Sequence, residues 1–487
     1  MHKTILVLSL VLTIACTTAT AVFSQQYDLV IEGGRVMDPE SGLDATRNIG
    51  ITKGKIARIS ADRLAGKRVL SANNLVVAPG FIDLHQHAQD NDSGRVKAFD
   101  GVTSGLEMEI GVPDVAAFLK QKDGHSLINY GTTASHAAAR AAAFGAALPE
   151  GELLAPSGPS TNQPATDEQL QKIKDRLRHE LDAGALGIGM GIQYTPGATR
   201  LEVIQTFRLA AERSVPVFTH VRSFGRLEPG SSIEAVSEVI GAAAISGASL
   251  QIVHINSSCL HEGLECLSMV AGARARGIDV TTEAYPYTAG MTYINSALFN
   301  PGWKEKLDID YSSLQLPDTG ERLTKERFDE LHNSPKPQTV LLFANTQEMV
   351  DAVIPNSLVM IASDGEKGHP RNAGTYSRIL AYYVREKGSI TLMDAIRKMS
   401  LMPAQRLEKA TPAARLKGRL QEGADADIVV FDSQTIADHS TYQAPMEPST
   451  GMKFVIVDGT VLIEQGKLVP NTFPGKPLLG PGSVRPQ

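Results

Sequence analysis

Cysteine is scarce in this chain: three in 487 residues, Cys16, Cys259 and Cys266. The first falls in an N-terminal segment that reads as removed or modified. No disulfide framework is therefore implied, and Cys259 and Cys266 read as small apolar packing groups. Tryptophan occurs once and aromatics make up 5% of residues. Basic tracts and clusters of stacking aromatics are missing, and a net charge of −6 gives no reason to expect nucleic acid as a partner. The apolar run from Ile5 to Ala15 is too short to span a bilayer comfortably.

What is present at the N-terminus has the layout of a secretory signal: a positive start at Met1-His-Lys3, the apolar run, then small residues. The expectation is a signal peptide over residues 1–25 and export to a periplasm or the outside. Cleavage between Ala19 and Ser24 and lipidation at Cys16 are both open, the latter being the one route to a membrane. A chain of this length exceeds one compact core, so a large domain with a smaller one attached is expected. Hydrophobic content of 42% and charged content of 21% are ordinary for a globular protein.

From Tyr27 to Val77 short alternating apolar runs are broken by turn signals such as Gly33-Gly34, Asp38-Pro39 and Lys53-Gly54, a meander of small strands. The same texture returns at Ala426–Phe431 and Phe454–Ile463. Residues 27–77 plus 405–470 are therefore expected to form one small β domain, a sandwich built from both chain ends. Between them, over residues 78–404, apolar strands alternate with amphipathic or Ala-rich stretches. Expected strands are Val77–His87, Val102–Glu109, Ser126–Ser135, Ala185–Gly191, Val215–His220, Ser249–His254, Asp279–Ala284 and Leu358–Asp364. Eight such units predict an α/β fold, a (β/α)8 barrel, whose active site lies at the carboxyl ends of the strands. The stretch from about 300 to 337, charged and proline-rich, is expected to be an insertion over the mouth, a lid.

The strand ends then become the informative set. The first gives His85 and His87, two apart and so on one face; the fifth gives His220, the sixth His254 and the eighth Asp364. Imidazole is the commonest ligand for a transition metal, and four histidines and one aspartate converging on one mouth point to a divalent ion. The second strand adds Glu107 and Glu109 in an apolar run, where an unpartnered carboxylate is costly and a cation is its natural partner. Glu109, nearer the mouth, is the preferred ligand and Glu107 the reserve. Arg222 follows a ligand and could bind substrate. His136 closes the third strand and could line the mouth.

Several motifs carry a resemblance. Gly80-Phe-Ile-Asp-Leu-His-Gln-His87, Thr219-His-Val-Arg222, Val253-His254 and Ser363-Asp-Gly365 resemble the metal-binding signature of the amidohydrolase superfamily. Gly184–Gly197, Glu283–Gly290, His369-Pro-Arg371 and Gly423–Asp432 are similar to its D-aminoacylase branch, N-acyl-D-amino-acid deacylases, over about Tyr27 to Val469. The resemblance implies that His85, His87, His220 and His254 bind zinc, one or two ions. It implies that Asp364 takes a proton from activated water and passes it to the leaving amine. Tyr194 would stabilise the developing oxyanion, and Arg371 with Tyr285 would anchor the substrate carboxylate.

This chain departs from that branch at three positions. Glu109-Ile-Gly-Val112 offers no Cys ligand, Ile255-Asn256 stands where a Lys is expected, and Met291 where a Ser is expected. A harder Glu ligand tolerates other divalent metals and a binuclear site. The expected function is metal-dependent hydrolysis of a C–N amide bond in a small-molecule substrate, foremost deacylation of N-acyl-D-amino acids. The alternatives are a hydrolase of cyclic amides or imides, or of dipeptide-like amides, and, further off, a non-catalytic exported metal-binding barrel. A homo-oligomer is left open.

Overall fold

The structure, a computed structural model, describes residues 26–148, 151–334 and 336–483. The expected signal peptide and Cys16 lie outside them. Eight parallel strands form one sheet: β1 (Phe81–Asp83), β2 (Val102–Val112), β3 (Asn129–Ser135), β4 (Ile188–Gly191), β5 (Val217–His220), β6 (Leu250–Ile252), β7 (Val280–Ala284) and β8 (Val359–Ile361), paired in that order. Helices cross between most of them, as the alternation predicted.

The barrel closes between β8 and β1 without a ladder. A bridge between Gln86 and Gly365 spans the seam, with His87 N donating to Gly365 O at 2.9 Å. Beneath it the buried Asp83 carboxylate accepts from Ser363 N at 3.0 Å, from Ser363 Oγ at 2.5 Å and from the Lys97 ammonium at 2.7 Å. An ion pair thus supplies bonds that the short strands cannot.

The single strand expected over Val77–His87 is two strands in two sheets. Val76–Pro79 pairs antiparallel with Ile428–Phe431, and β1 pairs parallel with β2. The switch falls at Gly80, where a Cβ would stand 2.2 Å from Thr103 Oγ1. Only glycine fits this close approach, and an apolar run alone cannot reveal which sheet each half joins.

Strands from both chain ends, Gln26–Asp38 to Val76–Pro79 and Ile428–Phe431 to Lys467–Leu468, make one nine-stranded sheet. Its apolar side buries Leu29, Ile31, Ile49, Ile51, Val77, Ile428, Val430 and Ile456. The insertion is wider than residues 300–337. It is a three-stranded antiparallel sheet of Ala289–Tyr293, Leu314–Gln315 and Thr339–Phe343, with a helix Lys325–His332 and an aromatic cluster of Phe299, Trp303, Tyr311 and Phe328.

The last described residues return to the barrel. Tyr130 N donates to Lys476 O at 3.1 Å and Leu478 N to Tyr130 O at 2.7 Å, and the Leu478 side chain joins Leu106, Leu186, Phe218 and Met360 in the barrel interior. Cys259 and Cys266, expected to pack as thiols, form a disulfide, with Cα atoms 6.5 Å apart. The short helix Ile255–Cys259 passes through one 3-10 turn, Leu260–Glu262, into the helix Gly263–Ala275, which brings the two sulfurs together.

Candidate metal centre

Glu109 is the hinge of the site. It lies almost at the end of β2, and a run of eleven wholly buried strand residues carries it to the mouth. Its Oε2 lies 3.1 Å from both His85 Nε2 and His87 Nε2. Its Oε1 lies 2.7 Å from His220 Nδ1 and 3.0 Å from His254 Nε2. Asp364 Oδ1 completes the first group, 3.3 Å from His85 Nε2 and 3.2 Å from His87 Nε2. Each group's ligand atoms lie within 4.8 Å of one another, and Glu109 belongs to both.

A second bond fixes each imidazole. His85 Nδ1 is 2.7 Å from Glu283 Oε1, His87 Nδ1 2.6 Å from Glu107 Oε2, His254 Nδ1 3.0 Å from Ser258 Oγ, and His220 Nε2 2.6 Å from Gln193 Oε1. These partners leave Nε2 of three rings, and Nδ1 of His220, facing the centre. Such outer contacts orient ligands and raise their basicity. Glu107, the reserve ligand, is therefore a support, held in turn by Ile110 N and Gly111 N at 3.1 and 3.2 Å. Glu283 and Gln193 were missed as supports although both stand at or just beyond the end of a strand; that polarity was the available signal.

Electrostatics follow from the crowding. Burial opposes charge on His85, yet Asp364 and Glu109 beside it raise its pKa to about 10. Burial likewise opposes charge on Glu109, and His85 and His220 hold it well below the usual carboxylate range. Four imidazoles and two carboxylates, nearly all withdrawn from water, fit a divalent cation: nitrogen and carboxylate oxygen are the donors zinc accepts, and the cation compensates the buried acids. Two residues hold left-handed backbone here, His254 at φ 30° and Asp364 at φ 51°. Non-glycine residues in that region concentrate at functional sites.

The cluster opens onto a cavity of about 830 Å³, lined among others by Tyr194, Phe224, Met291, Thr292, Leu298, Leu342 and Glu366. The Tyr194 hydroxyl accepts from Thr292 Oγ1 at 3.2 Å, and burial, then the charge of Glu109, raises its pKa. It stays protonated and able to donate. The remaining expected contacts do not reach the cavity wall. Arg371 is fully buried behind Asp364, with Nη1 2.8 Å from Asp364 Oδ2, and its Cζ lies over the Tyr285 ring, 4.8 Å from the ring centre. Tyr285 is 1% exposed and shares that position behind the wall. Arg222 faces away, held by Glu238 through two 2.7 Å bonds, because the chain turns outward after β5. His136 is buried against Glu202 at 2.9 Å. Asn256 ties the Tyr285 backbone at 3.1 Å, while Met291 does line the cavity.

The amidohydrolase family model matches residues 68–463. The chain belongs to the amidohydrolase family. Among curated relatives of this amidohydrolase, an N-acyl-D-glutamate deacylase of Alcaligenes xylosoxydans xylosoxydans is 30% identical, covering 94% of this chain and 98% of that protein. A D-aminoacylase of the same organism is 29% identical over 90% and 94%. An N-acyl-D-glutamate deacylase from Bordetella bronchiseptica, solved with zinc and a phosphonate inhibitor, superposes with a TM-score of 0.79 at 24% identity, covering 93% of this chain and all of that one. This amidohydrolase is a metal-dependent hydrolase of non-peptide C–N bonds in the D-aminoacylase branch.

Proposed function

We propose that this amidohydrolase deacylates N-acyl-D-amino acids with zinc held by His85, His87, Glu109, His220 and His254. The observation that carries this is Glu109: one carboxylate oxygen faces each histidine pair, and Asp364 faces the first pair across the cavity floor. The two groups, His85, His87, Glu109 and Asp364, and Glu109, His220 and His254, would hold one or two divalent ions. When bound, such ions supply Lewis acidity and lower the pKa of water to about 7.

The chain's own residues do the rest. The Asp364 carboxylate takes the proton of the attacking water and delivers it to the leaving nitrogen, general base and then general acid. Burial works against its charge, but Arg371 and His85 keep it ionised and ready to accept. Tyr194 donates its hydroxyl to the carbonyl oxygen as negative charge develops there. Arg371, stacked on Tyr285, orients Asp364.

The position of Arg371 behind the wall, with Met291 on it, favours a second reading: amides without a carboxylate beside the scissile bond, such as ring amides or dipeptide-like amides. Metal analysis of the purified protein, followed by turnover of paired N-acyl-D- and N-acyl-L-amino acids, decides between them. Release from the D series supports deacylation; no release, with activity on a ring amide or dipeptide, overturns it.

Export belongs to the same proposal. It is supported by the layout of residues 1–25 and by the Cys259–Cys266 disulfide, since disulfides persist in oxidising compartments. Fractionation and the mass of the mature N-terminus test it and separate cleavage from a lipid at Cys16.

A further inference from the structure

The cavity wall is uneven in charge. One stretch, from the insertion and the loop after β5, is apolar: Met291, Leu298, Leu342 and Phe224. Another, made by the loop after His87, the helix Val115–Lys122 and the loop after β8, carries two lysines, Lys122 and Lys367. Lys367 is already neutralised, its ammonium 2.9 Å from Asp90 Oδ2 and 4.0 Å from Asp92 Oδ2.

Lys122 differs. Among the described residues no carboxylate lies within ion-pair distance of it. Its ammonium donates to the backbone carbonyl of Gln89, two residues beyond His87, and lies 5.9 Å from the Phe118 ring, which also lines the cavity. Burial lowers its pKa to about 8, and Asp90 offsets only part of that. A half-desolvated ammonium gains more from an incoming anion than an exposed one would. Arg371, beside the cluster, is paired with Asp364 and lies off the wall.

We propose that Lys122 binds a carboxylate of the substrate, while an apolar substituent of the same molecule rests on Met291, Leu298 and Leu342. The substrate class is an amphiphilic amide, acidic at one end and apolar at the other. This rests on the amide-hydrolase reading and adds the residue that selects the acid.

The test uses the full metal-loaded protein and matched substrate pairs that differ only in carrying a free carboxylate or its carboxamide. The wild type favours the acid in kcat/KM. K122M lowers that acid-over-carboxamide preference about tenfold, through KM, and K122R restores most of it. R371M lowers kcat on both members and keeps the preference. An undiminished preference in K122M, or its collapse in R371M instead, overturns the proposal. If the wild type hydrolyses no amide, the amide reading fails by itself. Calorimetric binding of the same pairs then decides Lys122: a preference for the acid that K122M abolishes supports it, and equal binding of acid and carboxamide to wild type and K122M overturns it.

Discussion

The floor of the cavity and its wall are built on different principles. On the floor each of the four histidines is held twice: His85 by Glu109 and Glu283, His87 by Glu109 and Glu107, His220 by Glu109 and Gln193, His254 by Glu109 and Ser258. On the wall, Met291, Leu298 and Leu342 present apolar surface from the insertion, and Lys122 is held by one backbone carbonyl. A doubly held side chain loses little entropy when it engages a ligand and tolerates little displacement. The floor thus fixes the chemistry, while the wall can change without dismantling it.

The comparison breaks first at the metal. Removal by a chelator is expected to abolish turnover, with recovery on adding zinc; full activity in the chelated protein, checked by elemental analysis, would remove the floor from the reaction. Asp364→Asn comes next, with kcat expected to fall about 10²- to 10⁴-fold while the four histidines and Glu109 retain metal. Turnover at the wild-type rate would leave Asp364 no part in proton transfer.

Glu283→Gln probes the outer bonds. It keeps the size of the side chain but weakens the contact that orients His85, and metal affinity is expected to fall about 10- to 100-fold, measured by competition with a chromophoric chelator. Met291→Ala has the smallest effect and acts on the other side of the comparison. It is expected to change the ranking of substrates that differ in their apolar group by about tenfold, mainly through KM, with metal content unaltered. If Met291→Ala lowered metal content, or Glu283→Gln changed only substrate ranking, floor and wall would not be separable.

Much of the floor was legible in the chain because ligand-type side chains leave a mark at strand ends. A histidine that closes an apolar strand is out of place unless something at the mouth needs it, and His85, His87, His220 and His254 all meet at Glu109. The preference for Glu109 over Glu107 followed from depth along β2, and the structure gives Glu107 the supporting place against His87. Less was legible where a side chain's direction depends on turns. Arg222 follows His220 by two residues, yet the chain has left the barrel by then and its guanidinium meets Glu238. Arg371 reaches the site, but from behind Asp364.

The sequence by itself determined the period of the chain: the alternation of short apolar strands with longer helical stretches, the β texture at both ends, and the placing of ligand-type residues at strand ends. These are local properties, written in spacing and residue type. Tertiary structure decided what depends on contacts between distant segments. It split one apolar run between two sheets at Gly80, joined Cys259 to Cys266, and brought Leu478 from the chain's end into the barrel. It also set the guanidinium of Arg371 against Asp364 and left Lys122 on the cavity wall with a carbonyl as its hydrogen-bond partner. A side chain's partner is fixed by the geometry of packing, and spacing along one chain does not encode it.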